Sequence, residues 1–87
     1  MKKCWLCERT NGNLERHHIF GGANRKISEK YNLTVYLCDQ CHRNGPEAVH
    51  RNKDTMLTLH QYGQRKFMQE QNTDTTEFIR IFGKNYL

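Results

Sequence analysis

The sequence predicts a small α+β domain, in which two short strands and a zinc site precede C-terminal helices. The chain has 87 residues, enough for one domain with a small hydrophobic core. It contains two Cys-x-x-Cys pairs, and its apolar residues alternate before the second pair but recur at helical spacing in the last third. We therefore expect one domain over residues 1–87, with the metal-binding part in residues 1–52 and a helical extension in residues 53–87.

Two segments in the first half of the chain have the pattern of β-strands. Residues 14–20, LERHHIF, alternate loosely between apolar and polar side chains. Residues 33–38, LTVYLC, alternate strictly and are rich in β-branched and aromatic residues. Residues 21–26, GGANRK, indicate a basic, glycine-rich loop. We expect the two strands to pair antiparallel across a connection that contains this loop.

The remaining elements are predicted to be helical. A short helix is expected to begin near Cys41 and to be interrupted at Gly45-Pro46. From Lys53 to Met68 apolar residues recur at helical spacing, although Gly63 disfavours a helix by about 1 kcal/mol.

The last predicted helix has recognisable ends. Asp74, followed three residues later by Glu77, is typical of a helix N-terminus, and Gly83 is typical of a C-terminus. An apolar stripe lies between them, which we expect either to pack in the core or to form a dimer surface, so that both a monomer and a homodimer stay open. The stripe consists of Phe78, Ile81 and Phe82.

The formal net charge of +5 belongs entirely to residues 1–53. The same part of the chain holds all four cysteines and four of the five histidines. A solvated basic face is one interpretation, but the coincidence of charge and chemistry favours a polyanionic partner, most plausibly nucleic acid. No apolar run reaches the roughly 18 residues of a membrane span, and no signal-peptide pattern follows Met1. We expect a cytoplasmic protein without membrane contact.

The four cysteines are predicted to bind structural zinc. Cys4-x-x-Cys7 and Cys38-x-x-Cys41 each supply two thiolates from one tight turn, as a tetrahedral Zn²⁺ site requires. A redox pair or unligated cysteines are the alternatives, but no βαβ pattern accompanies the pairs. Structural zinc contributes on the order of ten kcal/mol to a small domain, which would offset the small core.

A known family shares several of these features in the same order. The relevant segments are His17-His18-Ile19, Asn32-Leu33 and Leu37-Cys38-Asp39-Gln40-Cys41-His42. On these residues the chain resembles the zinc-bearing form of the His-Asn-His (HNH) endonucleases, over about residues 4–50. The resemblance implies a ββα-metal fold, in which the two predicted strands precede a helix that starts near Cys41. It also implies DNA cleavage that leaves 5′-phosphate and 3′-hydroxyl ends.

The resemblance implies a role for each residue of the motif. His17 and His42 would bind a catalytic divalent ion such as Mg²⁺ or Mn²⁺, His18 would be the general base, and Asn32 would fix the loop and hold the base. The chemistry of the residues agrees, because neighbouring residues on a strand point to opposite faces and the two histidines must therefore differ in role. Imidazole, with an unperturbed pKa of about 6.5, suits a general base near neutral pH.

Two further histidines are less clearly placed. His50 lies eight residues after His42, which on a continuous helix separates them by about 12 Å, too far for one ion. A bend at Gly45-Pro46 would make His50 a third ligand; a phosphate contact and a surface position are the alternatives. His60 lies outside the motif and is interpreted as structural or exposed.

Basic residues near the motif are candidate phosphate contacts. For those in the loop after the first strand, the alternative is that they are merely solvated. The candidates are Arg16, Arg25, Lys26, Lys30, Arg43 and Arg51.

The sequence therefore predicts a metal-dependent DNA endonuclease. The alternative is a non-catalytic, zinc-stabilised module that binds DNA or protein, such as an accessory of phage recombination or packaging proteins. A weaker similarity of His42, Arg43, His50 and the helical tail to phage recombination-associated nucleases of the Ref type favours a phage or prophage protein acting in a bacterial host cell.

Overall fold

The computed structural model describes residues 2–87, over which a two-stranded antiparallel sheet is combined with three α-helices. The strands are β1, Leu14–His18, and β2, Thr34–Cys38. The helices are α1, Arg25–Lys30; α2, Lys53–Glu70; and α3, Thr75–Phe82. A 3₁₀ turn, Gly22–Asn24, precedes α1, and a π-helical turn, Gln40–Asn44, follows β2. The predicted α+β class is confirmed.

The two strands pair where the sequence pattern places them. Leu14 lies opposite Cys38, and His18 lies opposite Thr34. Val35 and Leu37 are buried while Thr34 and Tyr36 are partly exposed, in agreement with the alternation of the sequence. The first strand is shorter than the predicted segment 14–20, because only one hydrogen bond, from Ile19 N–H to Leu33 O at 2.9 Å, continues the pairing beyond His18.

The expected loop between the strands is partly helical, which corrects the prediction for residues 21–26. The helix α1 has six residues, less than two turns, so its apolar positions are too few to show a helical period. Ser28 on α1 is fully buried. Its hydroxyl accepts from Phe20 N–H at 3.1 Å and donates to Phe20 O at 2.8 Å, which fixes α1 to the chain leaving β1.

The helix predicted to begin near Cys41 is a single π-helical turn. Gly45 ends it, and Gly45 N–H donates to Gln40 O at 2.8 Å. A Cβ atom at residue 45 would lie 2.6 Å from the same carbonyl oxygen, a distance that side-chain carbons do not tolerate. Glycine is therefore required for this tight ending, which explains why the helix does not continue.

The last two helices begin and end close to the predicted positions. Asn52 caps α2, since its Oδ1 accepts from Asp54 N–H at 2.9 Å and Thr55 N–H at 3.1 Å. Asp74 caps α3 by accepting from Glu77 N–H at 3.0 Å, as the sequence indicates. Gly83 ends α3 in the left-handed conformation, with φ of +88°.

An aromatic cluster joins both helices to the end of β1. The ring of Phe20 lies 5.4 Å from Phe78 and 4.8 Å from Phe82, centroid to centroid. Phe67 of α2 contacts both rings of α3. Of the two alternatives for the apolar stripe, core packing is therefore the one observed for Phe78 and Phe82. Within residues 2–87, no helix combines the length and apolar character that crossing a membrane requires.

Gly63 allows α2 to pack closely against the end of β1. A Cβ atom there would lie 2.6 Å from Ile19 Cγ2 and 3.0 Å from Phe20 Cε2. We expect Gly63→Ala to lower the free energy of unfolding by about 1–3 kcal/mol, because overpacking outweighs the gain in helix propensity of about 1 kcal/mol. Urea unfolding measures this. Gln69→Ala, at an exposed position of α2, is the control; a Gly63→Ala variant as stable as wild type would contradict the packing argument.

Candidate functional site

The four cysteines converge as a tetrahedral metal site requires. Their Sγ atoms all lie within 4.8 Å of one another, and Cys7 Sγ is 3.6 Å from Cys38 Sγ. Around one Zn²⁺, with Zn–S bonds of about 2.3 Å, sulfur atoms stand about 3.8 Å apart. A disulfide would need about 2.05 Å, and all four cysteines are free. The cluster therefore fits a structural metal ion such as zinc.

Backbone hydrogen bonds form the first cysteine turn and hold it against β2. Cys4 N–H donates to Arg9 O at 2.8 Å, and Glu8 N–H donates to Cys4 O at 2.9 Å. Trp5 N–H donates to Tyr36 O at 2.8 Å. Because Cys38 is the last residue of β2, this attachment brings both cysteine pairs to one point.

The thiols differ in how readily they ionise. Burial raises the pKa of the Cys4 thiol, but N–H groups of Cys7, Cys38 and Leu6 outweigh it and bring the pKa below its ordinary value. Burial raises the pKa of Cys41, and the neighbouring thiols raise it further. The backbone thus favours one thiolate, while further negative charge in the cluster needs a cation nearby, as in a zinc site.

Three histidines form a second cluster. The ring nitrogens that His17, His42 and His50 offer lie within 4.8 Å of one another, and His42 Nε2 is 3.1 Å from His50 Nε2. Two imidazole nitrogens bound to one ion at about 2.0–2.1 Å stand roughly 3.0–3.5 Å apart. His17 Nε2 is buried and has no hydrogen-bond partner within residues 2–87. The three rings can therefore hold a metal ion.

The protonation of His17 suits a metal ligand. Burial lowers its pKa to about 4, and the charges of the neighbouring His42 and His50 act in the same direction. His17 is thus neutral near pH 7, with one ring nitrogen bearing a lone pair. A neutral imidazole is the form that coordinates metals.

A four-residue excursion places His50 beside His42. Val49 N–H donates to Cys41 O at 2.8 Å, and His50 N–H donates to His42 O at 3.2 Å. Each of these N–H groups comes from eight positions after the residue whose carbonyl accepts it. In an α-helix the donor comes from four positions later. Residues 45–48 are therefore looped out, and His50 occupies the position one turn after His42. The bend considered for Gly45-Pro46 is present, and the separation of about 12 Å expected for a continuous helix does not apply.

Glu15 is a site residue that the sequence interpretation missed. Its Oε1 lies 2.8 Å from Nδ1 of the buried His42, and this hydrogen bond lowers the pKa of Glu15. A carboxylate that accepts from Nδ1–H leaves Nε2 of the same ring as the metal-binding nitrogen. Glu15 precedes His17 by two residues and therefore shares its face of β1, a relation that the strand period could have revealed.

The opposite face of β1 carries different partners. The Arg16 guanidinium pairs with both carboxylate oxygens of Glu29 on α1, which lowers the pKa of Glu29. His18 Nε2 lies 3.9 Å from Glu29 Oε1, and the His18 side chain is 15% exposed. The contacts thus follow the expected split between His17 and His18. Arg16, predicted to contact phosphate, is already paired with an acid, and Glu29 is a second residue that the sequence interpretation missed.

Asn32 fixes the connection between the strands through its backbone. It adopts the left-handed conformation, with φ of +57°, after α1. Its N–H donates to Glu29 O at 3.2 Å, and Lys66 Nζ donates to its carbonyl at 2.8 Å. Within residues 2–87, no hydrogen bond joins the Asn32 side chain to His18. The carboxylate of Glu29 is the polar group found beside His18.

The other predicted phosphate contacts are exposed. Three of them lie on α1 rather than on a loop, and the other two flank the histidine cluster. Of these two, Arg51 donates from its Nη1 to Asn44 O at 2.9 Å. In chain order the five residues are Arg25, Lys26, Lys30, Arg43 and Arg51. His60 is half-buried between the rings of Phe20 and Tyr86, in agreement with a structural role.

Comparisons with protein-family models, with curated proteins and with solved structures find no match for this chain. The site itself therefore carries the information about function. Its components are a cluster of four thiols, a cluster of three imidazoles in which a carboxylate holds the His42 ring, and a further histidine, His18, on the opposite face of β1.

The thiol cluster leads to a prediction about metal content. We expect about one tightly held zinc ion per chain after dialysis against a weak chelator, measured by elemental analysis. Cys38→Ser should lose this ion and unfold at a much lower temperature, because it removes one of four ligands. His50→Ala, which leaves all four thiols in place, is the matched control and should retain it. A folded, zinc-free wild-type protein would exclude the site.

Proposed function

We propose that this chain is a metal-dependent endonuclease of the HNH type, which hydrolyses DNA phosphodiester bonds. The observation that carries the proposal is the convergence of three imidazoles, with a buried, unpartnered Nε2 on His17 and with His42 oriented by Glu15. His18, next in sequence, is directed to the other face. A module that only binds DNA needs neither this cluster nor the additional imidazole.

The donor set indicates which ions the cluster would hold. His17, His42 and His50 are neutral ligands, so they leave the charge of a divalent cation uncompensated and leave positions for water and phosphate oxygens. When bound, such an ion supplies positive charge at the phosphoryl and leaving oxygens. Imidazole nitrogen suits Zn²⁺, Fe²⁺ and Ni²⁺, and it suits Mn²⁺ less well, whereas Mg²⁺ prefers oxygen ligands. Among the ions expected from the sequence, we therefore favour Mn²⁺ or another transition ion over Mg²⁺.

His18 is proposed as the general base. Its Nε2 faces the carboxylate of Glu29, and its Nδ1 makes no hydrogen bond within residues 2–87. An anionic Glu29 stabilises the imidazolium that forms when Nδ1 takes a proton from water. The water oxygen bonds to phosphorus as the bond from phosphorus to the 3′-oxygen breaks, and solvent supplies the proton to that oxygen. The products are a 5′-phosphate and a 3′-hydroxyl.

The charge distribution supports DNA as the substrate. The net charge of +5 is concentrated in the part of the chain that carries the site, and exposed cations lie on α1 and beside the histidine cluster. These cations can contact the phosphates that flank the reacting one.

A plasmid assay tests the activity. We expect zinc-loaded protein with Mn²⁺ to nick supercoiled DNA, and His18→Ala to lower the rate by about 10²–10⁴-fold, the usual contribution of a general base. Thr34→Ala is the matched control, because Thr34 lies opposite His18 in the sheet and its loss removes no imidazole. Zinc content and melting temperature of both variants should stay close to wild type.

Two outcomes would contradict the proposal at different levels. If His18→Ala cuts at the wild-type rate, His18 is not the base. If wild-type protein cuts no DNA with Mn²⁺, Mg²⁺, Co²⁺ or Zn²⁺ across a range of pH, the chain is the non-catalytic zinc module instead.

The role of Glu15 is tested by metal binding. Glu15→Gln keeps the size of the side chain but removes the charge that orients His42, so we expect affinity for Mn²⁺ to fall by about 10–100-fold in zinc-loaded protein. Isothermal titration calorimetry measures it. Glu70→Gln, at the exposed end of α2, is the control for the change in net charge. Equal affinities of wild type and Glu15→Gln would show that Glu15 does not act on the cluster.

A further inference from the structure

A cleft of about 530 Å³ lies between the start of α2, the segment before it and the C-terminal tail. This volume falls in the range of ligand-binding clefts, about 300–1,000 Å³. Residues that border it include His50, Arg51, Lys53, Leu57, Lys84 and Tyr86. Most of the cleft is therefore built from residues outside the HNH-like motif.

The cleft opens beside the histidine cluster. His50 forms part of its wall, while His50 Nε2 lies 3.1 Å from His42 Nε2 within the cluster. A polymer bound with one phosphate at the cluster therefore has the cleft directly next to it.

The charge of the cleft is positive only. Arg51, Lys53 and Lys84 border it, and no acidic residue among residues 2–87 does. None of the three belongs to an ion pair within residues 2–87. Arg51 donates to a backbone carbonyl, and Lys84 Nζ lies over the ring of Tyr86, 5.2 Å from its centroid. The charges of all three remain available to an anion.

The far wall of the cleft is held firmly against α2. Gln64 on α2 is fully buried, and its Oε1 accepts from Tyr86 N–H at 2.8 Å. Gln61 Nε2 donates to Tyr86 O at 2.9 Å. The ring of Tyr86 packs on His60, with centroids 4.6 Å apart. The C-terminal tail thus forms a fixed wall of the cleft. Its Tyr86 ring adds an aromatic surface of the kind on which sugars and bases pack.

We propose that this cleft binds the DNA backbone that continues from the phosphate at the histidine cluster, with Arg51, Lys53 and Lys84 neutralising successive phosphates. The proposal rests on the proposed function, since it takes the cluster as the place of cleavage. It also gives the C-terminal extension a role, because Lys53 and Lys84 lie outside the motif. The cleft would recognise the phosphodiester backbone, which both double-stranded and single-stranded DNA contain.

A salt-dependence experiment tests the cleft. Binding of fluorescently labelled DNA, duplex in one arm and single-stranded in the other, is measured by anisotropy from low to moderate salt, with zinc-loaded His18→Ala protein so that no DNA is cut. Combining Lys53→Gln with Lys84→Gln removes two phosphate contacts. We expect affinity to fall about tenfold or more near 0.1 M salt, and the slope of log K against log salt to become shallower by about 1.8 for duplex DNA or about 1.4 for single-stranded DNA.

A second double variant controls for net charge. Lys3→Gln with Arg65→Gln also removes two positive charges, but Lys3 pairs with Glu8 and Arg65 lies on an exposed part of α2 that does not border the cleft. Its affinity and slope should stay close to those of the parent. Circular dichroism and thermal melting establish that all variants are folded.

The outcomes separate the two proposals. A reduced slope for the cleft variant in either DNA arm supports the cleft, and the arm that shows it identifies the bound form. An unchanged slope in both arms, or an equal loss in the charge control, overturns it. If wild-type protein cuts no plasmid while the cleft variant still loses affinity, the enzymatic proposal fails and the cleft stands as a DNA-binding site.

Discussion

The convergence of four thiols is the constraint on which the rest of this structure depends. A two-stranded sheet is at best marginally stable alone in water, and the described part of the chain, residues 2–87, has only two short strands. The thiol cluster joins the turn at Cys4–Cys7 to the end of β2. Cys7 and Cys38, whose Sγ atoms lie 3.6 Å apart, are separated by thirty-one positions in the sequence. Metal binding at such a cluster closes a long loop with a strong cross-link, which the small core cannot replace.

The histidine cluster depends on this arrangement because the two sites share backbone. Cys41 is a member of the thiol cluster and His42 is a member of the histidine cluster. Their carbonyls accept from Val49 N–H and His50 N–H, so the same π-helical turn positions both groups. The pairing of β1 with β2 positions the third histidine, His17, and also Glu15, which orients His42. A change that displaces the turn therefore moves histidines as well as thiols.

The sequence was most informative where the signal is local. The alternation of β2, the cap at Asp74 and the glycine that ends α3 depend on residues within one element, and each was predictable. The pairing of the cysteines was predictable as well, because metal ligands come in a few fixed spacings. Gly63, which weakens the prediction of α2, is explained only by its contact with Ile19 across the domain.

Prediction was weaker where contacts between elements decide the outcome. Glu15 and Glu29 are ordinary surface acids in the sequence, and they acquire roles only when β1 is placed beside His42 and α1. The helix α1 is held by Ser28 rather than by a strong helical pattern. Asn32 was expected to fix the loop and to hold the base, and the contacts observed are those of its left-handed backbone and its carbonyl.

Because residues 45–48 are looped out, the number of residues between His42 and His50 does not determine the distance between their rings. The tip of this excursion, Pro46 and Glu47, is exposed, and the backbone resumes its interrupted pattern at Val49. Surface loops of this kind accept insertions and deletions at little free-energy cost. Residues can therefore be added or removed at this exposed tip while the ring nitrogens of His42 and His50 keep their places. A search pattern with a fixed gap between the two histidines would miss any chain that carried the same cluster on a longer or shorter excursion.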